Sequence, residues 1–315
     1  MALNRRDLLA QAGGAVVGMA TIGQLTYGGT AAAAVPGCQW GVRALPRAGE
    51  NPMTALTDLE TAVGRRFAIE RQYQVWGAAL PGKFTLWASS QGRTPYIGWQ
   101  AWTGTNSGPR VPWSSISNGS RDTFLNKQAA SLKAWGQPVY LTFHHEPEDD
   151  PDCGTAAEYR AAYNHIRTVF DQAGVTNATW VLTLMASTYN GGYGGPSNWE
   201  PDNYDIVGVD GYNRYPVANV KYRSFADIFG PARAFAVRRG KPLGIGEYGC
   251  VEQGVNDPNG KAAWFADAGA TMKAWPELRF ACYSHVTASG YDYWVDSSAS
   301  SLAAFKALGA DPYFA

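Results

Sequence analysis

Two glutamates stand where short apolar runs stop: Glu146 in "PVYLTFHHEPEDD" (138–150) and Glu247 in "PLGIGEYG" (242–249). In a β-strand successive side chains point to opposite faces. Val139, Leu141 and Phe143 then form an apolar back, while Tyr140, Thr142, His144 and Glu146 form a polar front. Paired carboxyls are what glycoside hydrolysis needs, one to protonate the leaving oxygen and one to attack the anomeric carbon. "YDIVGVDGYN" (204–213) adds Asp210 and Tyr212 on the face opposite Val207 and Val209. A tyrosine hydroxyl beside Glu247 donates a hydrogen bond that keeps the carboxylate ionised. Asp210 either binds a sugar hydroxyl, supports Tyr212, or simply forms an Asx turn before Gly211.

Other polar groups are weighed in the same way. His145 orients Glu146 or binds a sugar hydroxyl, and His144 reads as packing or hydrogen bonding lower down. His285, closing "LRFACYSHV", either reaches the same mouth or is the polar end of a buried strand. A metal reading is weak, because adjacent histidines face opposite ways and H-E-x-x-H is absent. No metal and no cofactor is expected, although the loop acids Asp149, Asp150 and Asp152 leave calcium open. Aromatic rings cover the apolar face of a sugar, and the chain has 12 Trp and 17 Tyr from which platforms could be drawn. Trp99, Trp102, Trp199, Tyr248 and Trp294 are candidates. Trp99 also shares a face with Ile97 and Ala101, which is a packing pattern.

These groups need elements to hold them. From Cys38 onward eight apolar runs alternate with helical patterns: "CQWGVRAL", "RRFAIERQYQ", "TPYIGWQAW", "PVYLTFHHE", "TWVLTLM", "YDIVGVDGYN", "PLGIGEYG" and "LRFACYSHV". Gly136, Gly174 and Gly240 stop helical runs, and Thr155 with Glu158 forms a capping box. Eight strands alternating with helices in a chain of 315 residues predict a single-domain (β/α)8 TIM barrel, with chemistry at the C-terminal strand ends. A doubly wound sheet usually carries a phosphate fingerprint, and none comes after a strand here. "NGGYGGPSNWEPDN" is a Gly-rich loop after the fifth strand.

Residues 1–34 read as a signal peptide, with Arg5-Arg6 before Leu8-Leu9 pointing to the twin-arginine route and "TAAAAVPG" to cleavage after Ala34. The domain is 35–315, secreted, with no membrane role after cleavage. In an oxidising compartment Cys38, Cys153, Cys250 and Cys282 suggest one or two disulfides, in any of three pairings. Lys plus Arg and Asp plus Glu both number 26, so no basic surface points to nucleic acid.

The order "ISNGSRDTFLNKQAASLKAWGQPVYLTFHHEPE", "NATWVL", "YDIVGVDGYN", "PLGIGEYG" and "YDYWVDSSASSLAAFKALGADPYF" resembles glycoside hydrolase family 26, from about Gly92 to the C-terminus. The resemblance implies a retaining endo-β-glycanase such as a β-mannanase. It implies Glu146 as acid/base after His145, Glu247 as nucleophile in a Gly-Glu-aromatic-Gly pattern, and Asp210 and Tyr212 as supports. Pro147 and Glu148 stand where the mannanase pattern has Met-Asn-Gly, and Thr142 stands where it has an arginine. The expectation is a monomeric hydrolase of a neutral β-linked polysaccharide, mannan or glucomannan first. The rival readings are a sugar-binding barrel without activity, which would not need both glutamates, and a polysaccharide lyase. A lyase needs positive charge for its uronate, and Arg214 is the only basic residue near a sixth-strand end.

Overall fold

The computed structural model describes residues 37–104, 108–215, 220–252 and 260–315. The expected signal peptide, 1–34, lies outside them. Eight parallel strands close in sequence order: β1 (Gln39–Ala44), β2 (Ile69–Trp76), β3 (Thr94–Thr103), β4 (Val139–Phe143), β5 (Ala178–Met185), β6 (Ile206–Asn213), β7 (Leu243–Cys250) and β8 (Leu278–His285). β1 completes the barrel by pairing with β8, Gln39 opposite Phe280 through Ala44 opposite His285.

Helices cover the outside: α1 (Pro52–Val63), α2 (Lys83–Ser90), α3 (Trp113–Ser117), α4 (Asp122–Trp135), α5 (Ala156–Gln172), α6 (Ala186–Tyr189), α7 (Pro196–Trp199), α8 (Phe225–Arg239), α9 (Lys261–Lys273) and α10 (Ala299–Ala310). α5 opens on the capping box of Thr155 and Glu158. α4 and α8 end at Gly136 and Gly240, both left-handed, a conformation that costs glycine little. α2 and α3 are not legible as helices in the sequence, being short and rich in serine. The segment after β5 carries only single helical turns, α6 and α7 among them, because four glycines and Pro196 interrupt it.

Strand alternation sorts side chains into two layers. Val139, Leu141, Phe143, Trp180, Val207 and Val209 pack outward against the helices. Ile69, Tyr96, Val181, Ile206, Phe280 and Cys282 fill the lower lumen. The polar groups of the site stand above that apolar floor, at the C-terminal ends.

The expected disulfides are not formed: no bridge joins Cys38, Cys153, Cys250 or Cys282, and all four are buried. Cys282 lies opposite Gly41, three residues along β1 from Cys38. At about 3.3 Å per residue that offset exceeds the roughly 7 Å limit for bridged Cα atoms. Cys153 comes after β4 and Cys250 ends β7, on separate sides of the mouth.

Candidate active site

Glu247 reaches the mouth through a break in strand pairing. Leu243 and Ile245 face outward, so strict alternation would turn Glu247 outward too. The β6 register runs Val209 to Ile245 and then Asp210 to Glu247, leaving Gly246 as an extra residue. Such a bulge reverses the in-out parity of the rest of the strand. Glu247 therefore faces the lumen beside Asp210, and Tyr248 faces the helices. Glycine is needed at the bulge, because a Cβ on Gly246 would lie 2.4 Å from Asp210 Oδ1.

Glu146 arrives differently. β4 ends at Phe143, and both His144 and Glu146 take left-handed φ values of 49°. The loop backbone docks on both neighbouring strands, His144 N–H donating to Trp99 O at 2.9 Å and Glu146 N–H to Thr183 O at 3.0 Å. Two buried acids anchor the turns beyond. Glu148 accepts from Met185 N–H at 2.9 Å and Thr188 Oγ1 at 2.5 Å, and Asp150 accepts from Arg110 Nε at 2.7 Å.

The positive φ turns His144 out of the polar front to which simple alternation assigns it. Its ring sits between Trp102 and Trp113. Its Nδ1 accepts from Ala101 N–H at 3.3 Å and Trp113 Nε1–H at 3.4 Å. Nε2 must then carry the hydrogen, which points to Asp150 Oδ2 at 3.2 Å. His144, Asp150 and Cys153 have the composition of a metal site. With Nδ1 accepting two N–H groups and Nε2 carrying the hydrogen, however, the ring has no lone pair to offer. The acidic loop does not gather for calcium either: Asp150 turns inward, and neither Asp149 nor Asp152 belongs to any three-ligand group among the described residues.

Glu146, Glu247, His145, Asp210, Tyr212 and Trp102 line one cavity of about 400 Å³. His145, Glu146 and Asp210 bring polar atoms within 4.8 Å of one another. With the Gln100 amide oriented to donate, His145 Nδ1 accepts, and Nε2–H faces Glu146 Oε2 at 3.7 Å. Burial and the charge of Arg71 hold His145 well below its ordinary pKa, hence neutral. This trio also has metal-like composition, but His145 serves Gln100 and Glu146.

Four residues of the site go unread in the sequence: Arg43, Arg71, Tyr73 and Gln100. Tyr73 and Tyr212 donate to Oε1 and Oε2 of Glu247 respectively. Arg43 Nη1 stands 3.8 Å from Oε1. Arg71 is fully buried beneath them, its guanidinium 4.6 Å from the Tyr73 ring and 3.9 Å from the Tyr96 ring, with Nη2 4.0 Å from Asp210 Oδ2. Gly98 makes room, since a Cβ there would lie 2.5 Å from the Tyr73 ring.

The two glutamates are pushed in opposite directions. Burial raises the Glu146 pKa, and the negative charge of Glu247 raises it further. The Glu146 side chain is 27% exposed, which moderates that rise without reversing it. Burial would raise Glu247 as well, but Arg43, Arg71 and the hydroxyls of Tyr212 and Tyr73 outweigh it and hold Glu247 below the usual carboxylate range. Asp210 is pushed well up by burial and by both glutamates. One carboxyl is thus kept protonated and another ionised in the same cavity.

The remaining candidates lie elsewhere. Trp99 is fully buried and stacks on Trp76 at 4.8 Å, so it is core and no sugar platform. Tyr248 is buried against Trp264 and Tyr283 behind β7. Trp199, without an evident partner in the sequence, packs on Tyr159 and Trp113 and donates to Tyr193 O at 3.0 Å. His285 has outward parity, accepts from Val295 N–H at 3.0 Å, and lines a separate cavity of about 220 Å³ with Trp294. Trp102 alone of the tryptophans lines the main cavity, with Arg110 stacked over it at 4.8 Å.

An eight-stranded parallel barrel with paired carboxyls at its C-terminal mouth has the architecture of barrel hydrolases. Comparison with known proteins agrees, and the chain resembles glycoside hydrolase family 26. The catalytic domain of a family 26 endo-β-1,4-mannanase from Bacillus sp. JAMB-750 superposes with a TM-score of 0.64 at 17% identity, covering 89% of this chain and 87% of that one. A family 26 β-mannanase from Bacteroides ovatus gives 0.62 at 13% identity, covering 89% and 90%. Endoglucanase H of Acetivibrio thermocellus is 25% identical over 273 residues, 82% of this chain but 29% of that protein. The chain thus spans under a third of that curated relative. No family model matches the sequence.

Proposed function

We propose that this protein is a retaining glycoside hydrolase acting on a β-linked polysaccharide. The observation that carries this reading is the opposite polarisation of Glu146 and Glu247 across one cavity. Glu146, held protonated, donates to the departing sugar oxygen. Glu247, ionised and gripped by two tyrosine hydroxyls, attacks the anomeric carbon and forms a glycosyl-enzyme bond. Glu146, now a carboxylate, takes a proton from the incoming water, whose oxygen displaces Glu247. Burial and the tyrosines fix the nucleophile's direction before substrate arrives. The neutral His145 ring, fixed by Gln100, supports Glu146 without adding charge.

The similarity to mannanases and an endoglucanase makes β-mannan, glucomannan and β-glucan the backbones to try first. Elimination by a lyase fits less well, because the guanidinium beside the carboxyl pair, Arg43, is engaged by Glu247, which is held ionised as a nucleophile needs to be. We further read the protein as a monomer, exported through the twin-arginine route after removal of residues 1–34. N-terminal sequencing of the secreted form tests that cleavage.

The activity test is reducing-end release from mannan, glucomannan, mixed-linkage glucan, β-1,3-xylan and an acidic polymer. Glu146→Gln and Glu247→Gln should each lower the rate at least ~10²–10⁴-fold, the range for removing a positioned acid or base. Proton NMR of the first product should give the β-anomer. Failure to release ends on every polymer, or full activity in either variant, would sink the proposal.

A further inference from the structure

Arg214 stands one residue past β6, on the rim of the main cavity. Its Nε donates to the Tyr293 hydroxyl at 3.1 Å, and its guanidinium lies 5.6 Å from the Tyr212 ring and 5.2 Å from the Tyr291 ring. Three tyrosines thus hold one guanidinium. Its Nη1 and Nη2 make no hydrogen bond with any described residue. Arg223, beside the N-cap Ser224 of α8, lines the same cavity and donates from Nη2 to a main-chain oxygen, Asp227 O, at 2.7 Å. Neither arginine pairs with a carboxylate among the described residues. The contrast with the cavity's other guanidinium is clear: Arg43 is engaged by Glu247. The exposed acid of the cavity, Asp149, belongs to the β4 loop, two strands away from β6.

A guanidinium offers its Nη edge as a planar fork that matches a carboxylate with two parallel N–H···O bonds. Holding the group in place beforehand reduces what binding must order. We propose that the polysaccharide carries an anionic unit, a uronosyl carboxylate beside the scissile bond, received by Arg214 with Arg223 next to it. This deepens the hydrolase reading and rests on it: the backbone cleaved is neutral, and its charged unit selects the substrate. It also revises the sequence-based expectation of a wholly neutral polymer, which counts Arg214 alone. Arg223 comes to the mouth only because α8 folds back against β6.

The test compares three oligosaccharides of one β-linked backbone, one neutral, one bearing glucuronate and one bearing a sulfate ester. Each is assayed with wild type, Arg214→Lys, Arg214→Gln and the Arg214→Gln/Arg223→Gln double variant, all checked for folding by circular dichroism. Binding to the Glu247→Gln protein is measured in parallel by calorimetry. Wild type should prefer the glucuronate chain by about ten- to a hundredfold in kcat/KM, the size of a charge-assisted pair. The preference should shrink in high salt, weaken in Arg214→Lys, which keeps the charge but not the fork, and vanish in the double variant. Equal rates on neutral and acidic chains would overturn the inference and leave the hydrolase standing. So would a preference that survives in the double variant. A stronger preference for the sulfate ester would overturn the carboxylate assignment. Arginine-dependent binding of the glucuronate chain with no cleavage of any chain would uphold the anion site and overturn the hydrolase.

Discussion

At the scale of single residues, the site is a device for keeping two similar carboxyls in different states. Glu247 is ionised because two guanidinium charges and two phenolic hydroxyls overcome its burial. Glu146 gets only a small pull from Arg71, outweighed by burial and the charge of Glu247. The acid limb of a kcat/KM profile should track Glu247 and the basic limb Glu146. Removing a donor to the ionised form of Glu247 raises its pKa. Tyr73→Phe and Tyr212→Phe should therefore move the acid limb to higher pH, the double variant further than either single one. A profile whose acid limb stays put would show that the hydroxyls only position the carboxylate. The reach of sequence reading divides along the same line. Glu146, Glu247, Asp210 and Tyr212 stand out because each carries a reactive group at the end of an apolar run. Arg71 and Tyr73 share the parity of Ile69, and Arg43 that of Gly41. That signal is present but points to no chemistry until the barrel closes and side chains of β1 and β2 reach Glu247 on β7.

At the scale of elements, two local departures from regular strand geometry aim the glutamates. The bulge at Gly246 turns Glu247 inward, and the left-handed residues after β4 send His144 out and Glu146 in. Neither is visible to a rule of simple alternation, which puts His144 on the polar front and would turn Glu247 toward the helices. Gly246→Ala would force Asp210 away from its seat. It should lower kcat by at least ~10²-fold, the sensitivity expected of a site misplaced by about 1 Å, with the barrel still folded by circular dichroism. Asp150→Asn weakens the link from Arg110 to His144 that holds the loop. The expected result is about 1–3 kcal/mol of lost stability by chemical denaturation and a fall in kcat larger than the rise in KM. Unchanged kcat would confine Asp150 to stability alone.

At the scale of the whole molecule, the eight-stranded plan is the most legible feature, since every strand and most helices carry an apolar period and a stop signal. The cysteines mislead, because an even count in a chain expected to be exported suits bridges while their positions on the barrel do not. Reductant should leave the thermal midpoint unchanged, and the denatured, unreduced protein should titrate four thiols. A drop in midpoint with reductant would reinstate a bridge. The pairing of Gln39 with Phe280 has a further consequence, for synthesis and folding. The first strand of the barrel to leave the ribosome has one of its partners in the last, so the loop to be closed spans the whole barrel. Until β8 is made, β1 and β7 both present open edges of the kind that recruit other chains. The barrel has no seam once finished, but during assembly it has two, and the last strand heals both at once.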